Sequence, residues 1–353
     1  MKLTIKSKEN LNYLKTHYTL EKKKINLKYF LHMMYVMLKK IKVVNYKFIK
    51  KSNIHVKEKS SYFIPSEIVE KINKTLYYQY RFKLKKTNYN FTINLYSETS
   101  IDIENYIKNI KTILLLFIQY KPITYKKYNT ITIYLTNMEK KLNGMTPNNL
   151  NSGYTYKNEI KICRKEEWFK VFIHECMHLF EFDFHDYSDF SILKQYIPIK
   201  SDFLLFELYS EFWARIMNII IASMNDSFSI FKKQFYKYLK MEQLYSALSA
   251  KKILDFHNLD YEGILQKNNY EEETNVFCYY ILTSLLLYFV EDTMSFFSIH
   301  NSNVFQFNKK HVEAFIEYII KIHKKEEWIH YLNSLTYFQT PNINMSLYEY
   351  VSV

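Results

Sequence analysis

The 353-residue sequence predicts an α+β fold, a small mixed or antiparallel sheet lobe followed by a mostly helical C-terminal lobe. Three observations carry that reading. Short runs between residues 78 and 163 alternate apolar and polar side chains, which is the period of strands. From residue 165 onward apolar residues recur at helical spacing almost to the end. Gly (3) and Pro (5) are scarce while 48% of residues are hydrophobic and 24% charged, which excludes collagen-like, Gly/Pro-rich and disordered classes.

Residues 1–60 come first as a basic arm. They hold 16 Lys, no Arg and 3 Glu, a net of +13 in a chain whose total is +14, so the other 293 residues are nearly neutral. One helix is expected in the arm, Asn26–Val44, with Tyr29, Phe30, Met33, Met34, Met37 and Leu38 between lysine clusters. Such a segment either covers the main body as a solvated helix or contacts an anionic surface such as nucleic acid or membrane. Lysine alone does not decide, because 34 Tyr and many Asn and Ile mark the composition of an AT-rich genome.

The globular body is expected over 61–353, its sheet lobe over 61–164 and its helical lobe over 165–353. Tyr78–Leu84 and Phe91–Leu95 read as strands, joined by Lys85–Tyr89 as an antiparallel hairpin. Thr99 or Ser100 is placed to cap a helix whose buried face is Ile103, Tyr106, Ile107, Ile110, Leu114, Phe117 and Ile118, with Pro122 ending it. Thr130–Leu135 is a strand by its β-branched content. After the turn-rich Asn143–Asn151, Gly153–Tyr156 and Glu159–Cys163 flank a two-residue hairpin loop, Lys157-Asn158. Helices are then expected at Lys165–Phe182, Phe203–Met224, Ser229–Leu248, Thr274–Phe297 and Lys309–Lys324.

Cys163, Cys176 and Cys278 are too few and too scattered for a disulfide framework. No secretory signal is visible at the start, so an intracellular setting is expected. The longest apolar run, Val276–Val290, is shorter than the roughly 20 residues a spanning helix needs and reads as a buried helix, so no transmembrane segment is expected.

The chemistry is concentrated in His174-Glu175-Cys176-Met177-His178. On a helix, residues four apart share a face, so His174 and His178 can hold one ion, and neutral imidazoles suit Zn²⁺. Glu175 lies beside the pair, where it can act on a water. Cys176, in a variable position of the motif, reads as a buried thiol. A catalytic zinc needs a third protein ligand and one open position. A third histidine six residues after His178 is excluded, because that position is Phe184 and His185 comes one residue too late. Two candidates remain. One is the acidic loop with Asp183, Asp186 and Asp189. The other is Glu207 on the next helix, which is apolar almost all round yet carries Glu207, Glu211 and Arg215 at i, i+4 and i+8. Buried carboxylates need a charge partner or a metal. Glu207 as ligand, Glu211 as acceptor for a ligand histidine, and Arg215 as the neutralising cation account for the stripe. Residues 165–215 hold ten acids against five bases, a balance that suits a cation and opposes phosphate.

Strand Thr130–Leu135, hairpin Gly153–Cys163, an HExxH helix and then Glu207-Leu-Tyr-Ser-Glu211 together resemble the zincin metallopeptidases, specifically the gluzincins. The third ligand of that family is a Glu on the following helix, with an acidic residue four positions on. The S-G-Y-T before the motif and the stretch Arg164–Glu175 are also similar to zincin-like proteins of large DNA viruses. The resemblance covers roughly residues 130–224. It implies a zincin-like fold with the metal site between the lobes, one Zn²⁺ per chain held by His174, His178 and Glu207, a polypeptide substrate, and Glu175 as general base. It also implies an oxyanion donor, for which Tyr196 is the expectation and Tyr209 and Tyr187 are rivals, and an edge strand beside the cleft, for which Gly153, Tyr154 and Thr155 are candidates. A viral origin would place the protein in the virion or the host cytoplasm. The competing readings are a zincin-like protein that binds metal or a partner without turnover, and an anionic-surface binder acting through residues 1–60.

Overall fold

The computed structural model describes residues 2–20, 25–41, 48–61, 63–86, 89–121, 128–142, 144–266, 270–336 and 343–351. The chain opens with β1 (Lys2–Leu3), α1 (Ile5–His17), α2 (Lys28–Lys40), β2 (Phe48–Lys51) and α3 (Ser66–Thr75). Next come β3 (Tyr78–Lys86), β4 (Tyr89–Ser97), α4 (Ile103–Phe117), β5 (Tyr128–Leu135), a single turn α5 (Pro147–Leu150), β6 (Gly153–Tyr156) and β7 (Glu159–Ile162). The remainder is helical, with α6 (Trp168–Leu179), α7 (Leu205–Ser223), α8 (Phe228–Phe256) and α9 (Tyr261–Gln266). A π-helical turn Phe277–Leu282 then leads into α10 (Thr283–Tyr288), α11 (Val290–His300), α12 (Val312–Ile322) and α13 (Glu326–Ser334), before β8 (Tyr350–Val351) pairs with β1.

The larger sheet has strand order β2-β3-β4-β5-β7-β6. Its centre is parallel (β4 with β5, β5 with β7) and its margins antiparallel, so it is a mixed sheet. The α+β reading therefore holds, as do the hairpin of β3 with β4 and the hairpin of β6 with β7. In the latter, Tyr156 pairs with Glu159 and Lys157 takes a positive φ of 55° in the two-residue loop. Alternation along β5 divides the core. Ile131, Ile133 and Leu135 face the main core with α4 and the helical lobe, while Tyr134 faces a smaller cluster under α3, built on Ile64, Ile68 and Ile72. Helix α4 is capped by Asp102, whose side chain accepts from the Glu104 amide at 3.0 Å, not by Thr99 or Ser100. Pro122, expected to end it, lies outside the described residues.

One of the two readings of residues 1–60 is favoured, and one expected helix changes. The described parts of residues 1–60 pack on the body, as the covering-helix reading expects. Leu11, Leu14, Leu31 and Met34 are buried in the main core, and β2 extends the large sheet by pairing with β3. Lys6 pairs with Glu166 and Lys39 with Asp226, each at 2.6 Å. The expected helix there runs Lys28–Lys40, and residues 42–44 of the expectation lie outside the described residues. The expected single helix Thr274–Phe297 is broken: Phe289 leaves helical backbone at ψ 36°, and the two halves bend by 97°. No described helix is long and apolar enough to cross a membrane.

The structure adds a buried C-terminal segment on which the sequence reading is silent. Ile343 to Tyr348 run through the interior, and buried carboxylates hold their backbone. Glu167 accepts from the amides of Met345 (3.1 Å) and Ser346 (2.7 Å), and Glu242 accepts from Leu347 (2.9 Å). Irregular chain inside a helical lobe leaves its amides without a ladder partner, so side chains satisfy them.

Candidate metal centre and cleft

Helix α6 packs on α7 and lies beside β6 and β7, so residues of the motif helix face both α7 and the sheet edge. His174 and Glu175 are each 5% exposed, so this face is interior surface at the floor of a cleft. The helix is apolar on its other sides (Phe169, Phe172, Ile173, Cys176 and Met177 are buried), which fixes its rotation.

Three donor atoms converge there. His174 Nε2 lies 3.0 Å from Glu207 Oε2, His178 Nε2 lies 3.2 Å from the same oxygen, and the two Nε2 atoms are 3.0 Å apart. Among the described residues this is the one group of three or more His, Cys, Asp or Glu donors close enough to share an ion. Donors arranged tetrahedrally about 2.0–2.1 Å from one ion would stand about 3.3 Å apart, so the residues fit a zinc-sized cation.

The far side of each ring faces a carboxylate. His178 Nδ1 hydrogen-bonds Asp183 Oδ2, and His174 Nδ1 lies 3.2 Å from Glu211 Oε2, close enough for attraction but out of line for a hydrogen bond. A carboxylate behind Nδ1 places the ring proton there and leaves Nε2 free to bind a cation. Asp183 also accepts from His185 Nδ1 at 2.6 Å. It is fully buried and sits behind the ring, on the opposite side from the donor cluster.

Glu211 is held by two cations. Lys170 Nζ donates to both its oxygens (3.1 and 2.9 Å) and Arg215 Nε to Oε1 (2.8 Å). Arg215 also donates to the Tyr279 carbonyl at 2.7 Å, tying the π-helical turn to α7. From that turn Tyr279 reaches the cluster, its hydroxyl donating to Glu207 Oε2 at 2.9 Å and its ring edge-on to His174. Single π turns inside helices are frequent at functional sites.

The charge states follow. Burial opposes charge on His178, but Glu207 and Asp183 outweigh it and hold its pKa well above the ordinary value. Burial would likewise raise Glu211, yet Lys170 and Arg215 keep it well below the carboxylate range. Glu207 is lowered against burial by His178 and His174. Glu175 is different: burial raises it and prevails over the nearby histidines. A raised pKa makes this carboxylate a better proton acceptor than an ordinary one.

A cleft of about 600 Å³ opens over these residues, walled by Gly153–Lys157 on one side and by α6, Phe206, Glu207 and Tyr279 on the other. The structure therefore brings His174, Glu175, His178, Glu207, Glu211, Arg215 and the Gly153–Thr155 strand together. It does not bring Tyr196, and that expectation is corrected: Tyr196 follows the short helical turn Ser191–Gln195, is 42% exposed and faces His323. Tyr209 and Tyr187 are also elsewhere. Tyr209 is buried with its hydroxyl on the Phe305 carbonyl, and Tyr187 packs on Phe190.

Lys170 and Tyr279 escaped the sequence reading. Lys170 stands one turn before His174, on the motif's own face, which was a usable signal. Tyr279 lies inside an apolar run whose π turn has no signature of its own. Compared with known proteins, the chain matches no family model, no curated protein and no solved structure.

Proposed function

We propose that this chain is a zinc-dependent metalloendopeptidase of the gluzincin type, with a zincin-like fold and its metal site between the sheet edge and the helical lobe. The observation that carries the reading is the convergence of His174 Nε2, His178 Nε2 and Glu207 Oε2, with Glu175 beside them in a cleft flanked by an exposed strand edge. His174, His178 and Glu207 would hold the ion, and Zn²⁺ bound there would supply Lewis acidity that acidifies water and polarises a carbonyl.

The chain's own residues do the rest. Asp183 accepts a hydrogen bond at His178 Nδ1 and Glu211 lies as a charge behind His174 Nδ1, so both favour a proton on Nδ1 and an Nε2 lone pair aimed into the cleft. Glu175 accepts a proton from water and returns it to the leaving amine. Strand β6 pairs with β7 on one side only and offers its other edge to an extended polypeptide. Tyr279 replaces Tyr196 as the candidate donor to the developing oxyanion, since its hydroxyl stands within the cluster. An inert metal-binding protein has no need of a carboxylic acid with a raised pKa in the position of Glu175.

The test couples metal analysis to a peptide-library cleavage assay. Purified protein should hold about one Zn²⁺ per chain. Glu175→Gln should retain the zinc and lose hydrolysis. Protein without zinc at neutral pH in the absence of chelator would remove the site, and cleavage by Glu175→Gln would remove Glu175 from the mechanism.

A further inference from the structure

We propose that Thr155 is a positioning residue for Glu175, so that the strand which seats the substrate also orients the base; this rests on the peptidase reading above. The Thr155 hydroxyl lies 2.8 Å from Glu175 Oε2, to which it donates, and 3.0 Å from the carbonyl oxygen of the same residue. Two residues earlier, on the same face of β6, Gly153 closes on the other carboxylate oxygen. A Cβ at Gly153 would stand 3.4 Å from Glu175 Oε1, 3.0 Å from Val171 Cγ1 and 2.9 Å from the Lys161 carbonyl. Gly153 has no positive φ, so it is required for room and not for backbone freedom.

Strand β6 thus meets both carboxylate oxygens, Oε2 with a hydroxyl and Oε1 with a bare Cα. The strand is itself anchored. Tyr154 points to the opposite face, where its ring stacks on Phe63 with centroids 4.9 Å apart, and Thr155 is in register with Ile160 of β7. Threonine is stiff at χ1, so its hydroxyl is a fixed prop, whereas a glutamate left alone has three torsions to wander through. An error of about 1 Å in a reacting group lowers a rate on the order of 100-fold. A substrate that pairs with the free edge of β6 would press on the element that holds the base.

The experiment uses the zinc-loaded full chain as wild type, Thr155→Val and Thr155→Ser. Valine keeps the shape and removes the hydroxyl; serine restores it. For a peptide that the wild type cleaves, Thr155→Val should lower kcat about 10- to 100-fold, with KM within about threefold and with zinc content and thermal midpoint unchanged. Thr155→Ser should return kcat to within about threefold of wild type. Wild-type kcat in Thr155→Val, equal losses in Val and Ser, or a loss confined to KM or to zinc content would each overturn the assignment. Crystal structures of the zinc-loaded wild type and Thr155→Val supply a readout independent of activity. Glu175 seated against residue 155 in the wild type and displaced in the variant supports the role; identical seating overturns it. If the wild type cleaves no library peptide, the peptidase reading fails, and the crystal structures still decide the placement of Glu175.

Discussion

Replacing Asp183 by Asn removes a charge and leaves the shape, and under the proposed zinc reading the contacts of Asp183 set the expected effect on metal binding. Asp183 Oδ2 meets His178 Nδ1, while Oδ1 meets His185 Nδ1 at 2.6 Å and the His185 amide at 3.2 Å. Both oxygens act as acceptors. Asparagine has one acceptor and one donor, so one side must fail. If the amide NH₂ faces His178, the ring must move its proton to Nε2, where it would block the lone pair that the zinc reading assigns to the ion. If it faces His185, a backbone N–H is left opposite a donor, and a lost hydrogen bond of this kind costs about 1–3 kcal/mol. Either way the arrangement that presents Nε2 is weakened but not abolished. Partners of this sort are worth about 10- to 100-fold in metal affinity, or about 1.4–2.7 kcal/mol. The assay is competition for Zn²⁺ against a chromogenic chelator at pH 7, with circular dichroism to confirm the fold. Wild-type affinity in Asp183→Asn would refute the orienting role. Complete loss of zinc would refute it differently, by making Asp183 a ligand.

Glu207→Ala should weaken zinc binding more than Asp183→Ala, because Glu207 Oε2 lies within 3.2 Å of both Nε2 atoms; the reverse order in the same competition assay would move the third ligand to the acidic loop. Lys170→Met should destabilise the protein by about 3 kcal/mol in urea unfolding, since it strips one of two cations from a fully buried Glu211. Glu242 should make stability fall with rising pH. Burial raises its pKa to about 7, so the native chain holds a proton that the unfolded chain releases from about 4.5 upward. Its contribution is complete below pH 4.5 and is lost as the pH passes 7, a swing of about 3 kcal/mol that Glu242→Gln should flatten.

Most of the motif region was legible in the sequence because its signals are local. His174, Glu175 and His178 share a helix face by spacing alone, and Glu207 with Glu211 stood out as acids on an otherwise apolar helix. The strands were legible for the same reason, since alternation in Tyr78–Leu84 and Thr130–Leu135 reports one buried face each. What escaped depends on contacts between distant segments. The tail that threads Met345 beside Lys170 is fixed by Glu167 and Glu242, far away in the chain. The break at Phe289 is a backbone event in a run whose residues all favour burial. The lysines of residues 1–60 leave open whether the segment covers the body or meets an anionic surface, because the stripe Leu11, Leu14, Leu31 and Met34 that seats both helices on the core shows only in the packing.

Charge balance carries the last step. Two of the buried acids near the motif helix are answered by fixed cations: Glu167 by Lys140, and Glu211 by Lys170 and Arg215. Glu175, Glu207 and Asp183, which have no lysine or arginine partner among the described residues, stand around His174 and His178. Burial would lower the pKa of both histidines, but the surrounding carboxylates raise it, so without an ion the site favours protonated imidazoles. Under the proposed zinc reading, a dication at the Nε2 atoms would take over that role and would have to displace those protons first. Zinc uptake near pH 7 should therefore release one to two protons, roughly one per imidazole that was charged. Apparent affinity should climb as pH rises toward the raised pKa of His178 and level off beyond it. Isothermal titration in buffers of different ionisation enthalpy reads the proton count directly. Zinc binding with no proton release between pH 6 and 7 would mean that the ion does not meet these imidazoles, and the site would have to be sought elsewhere.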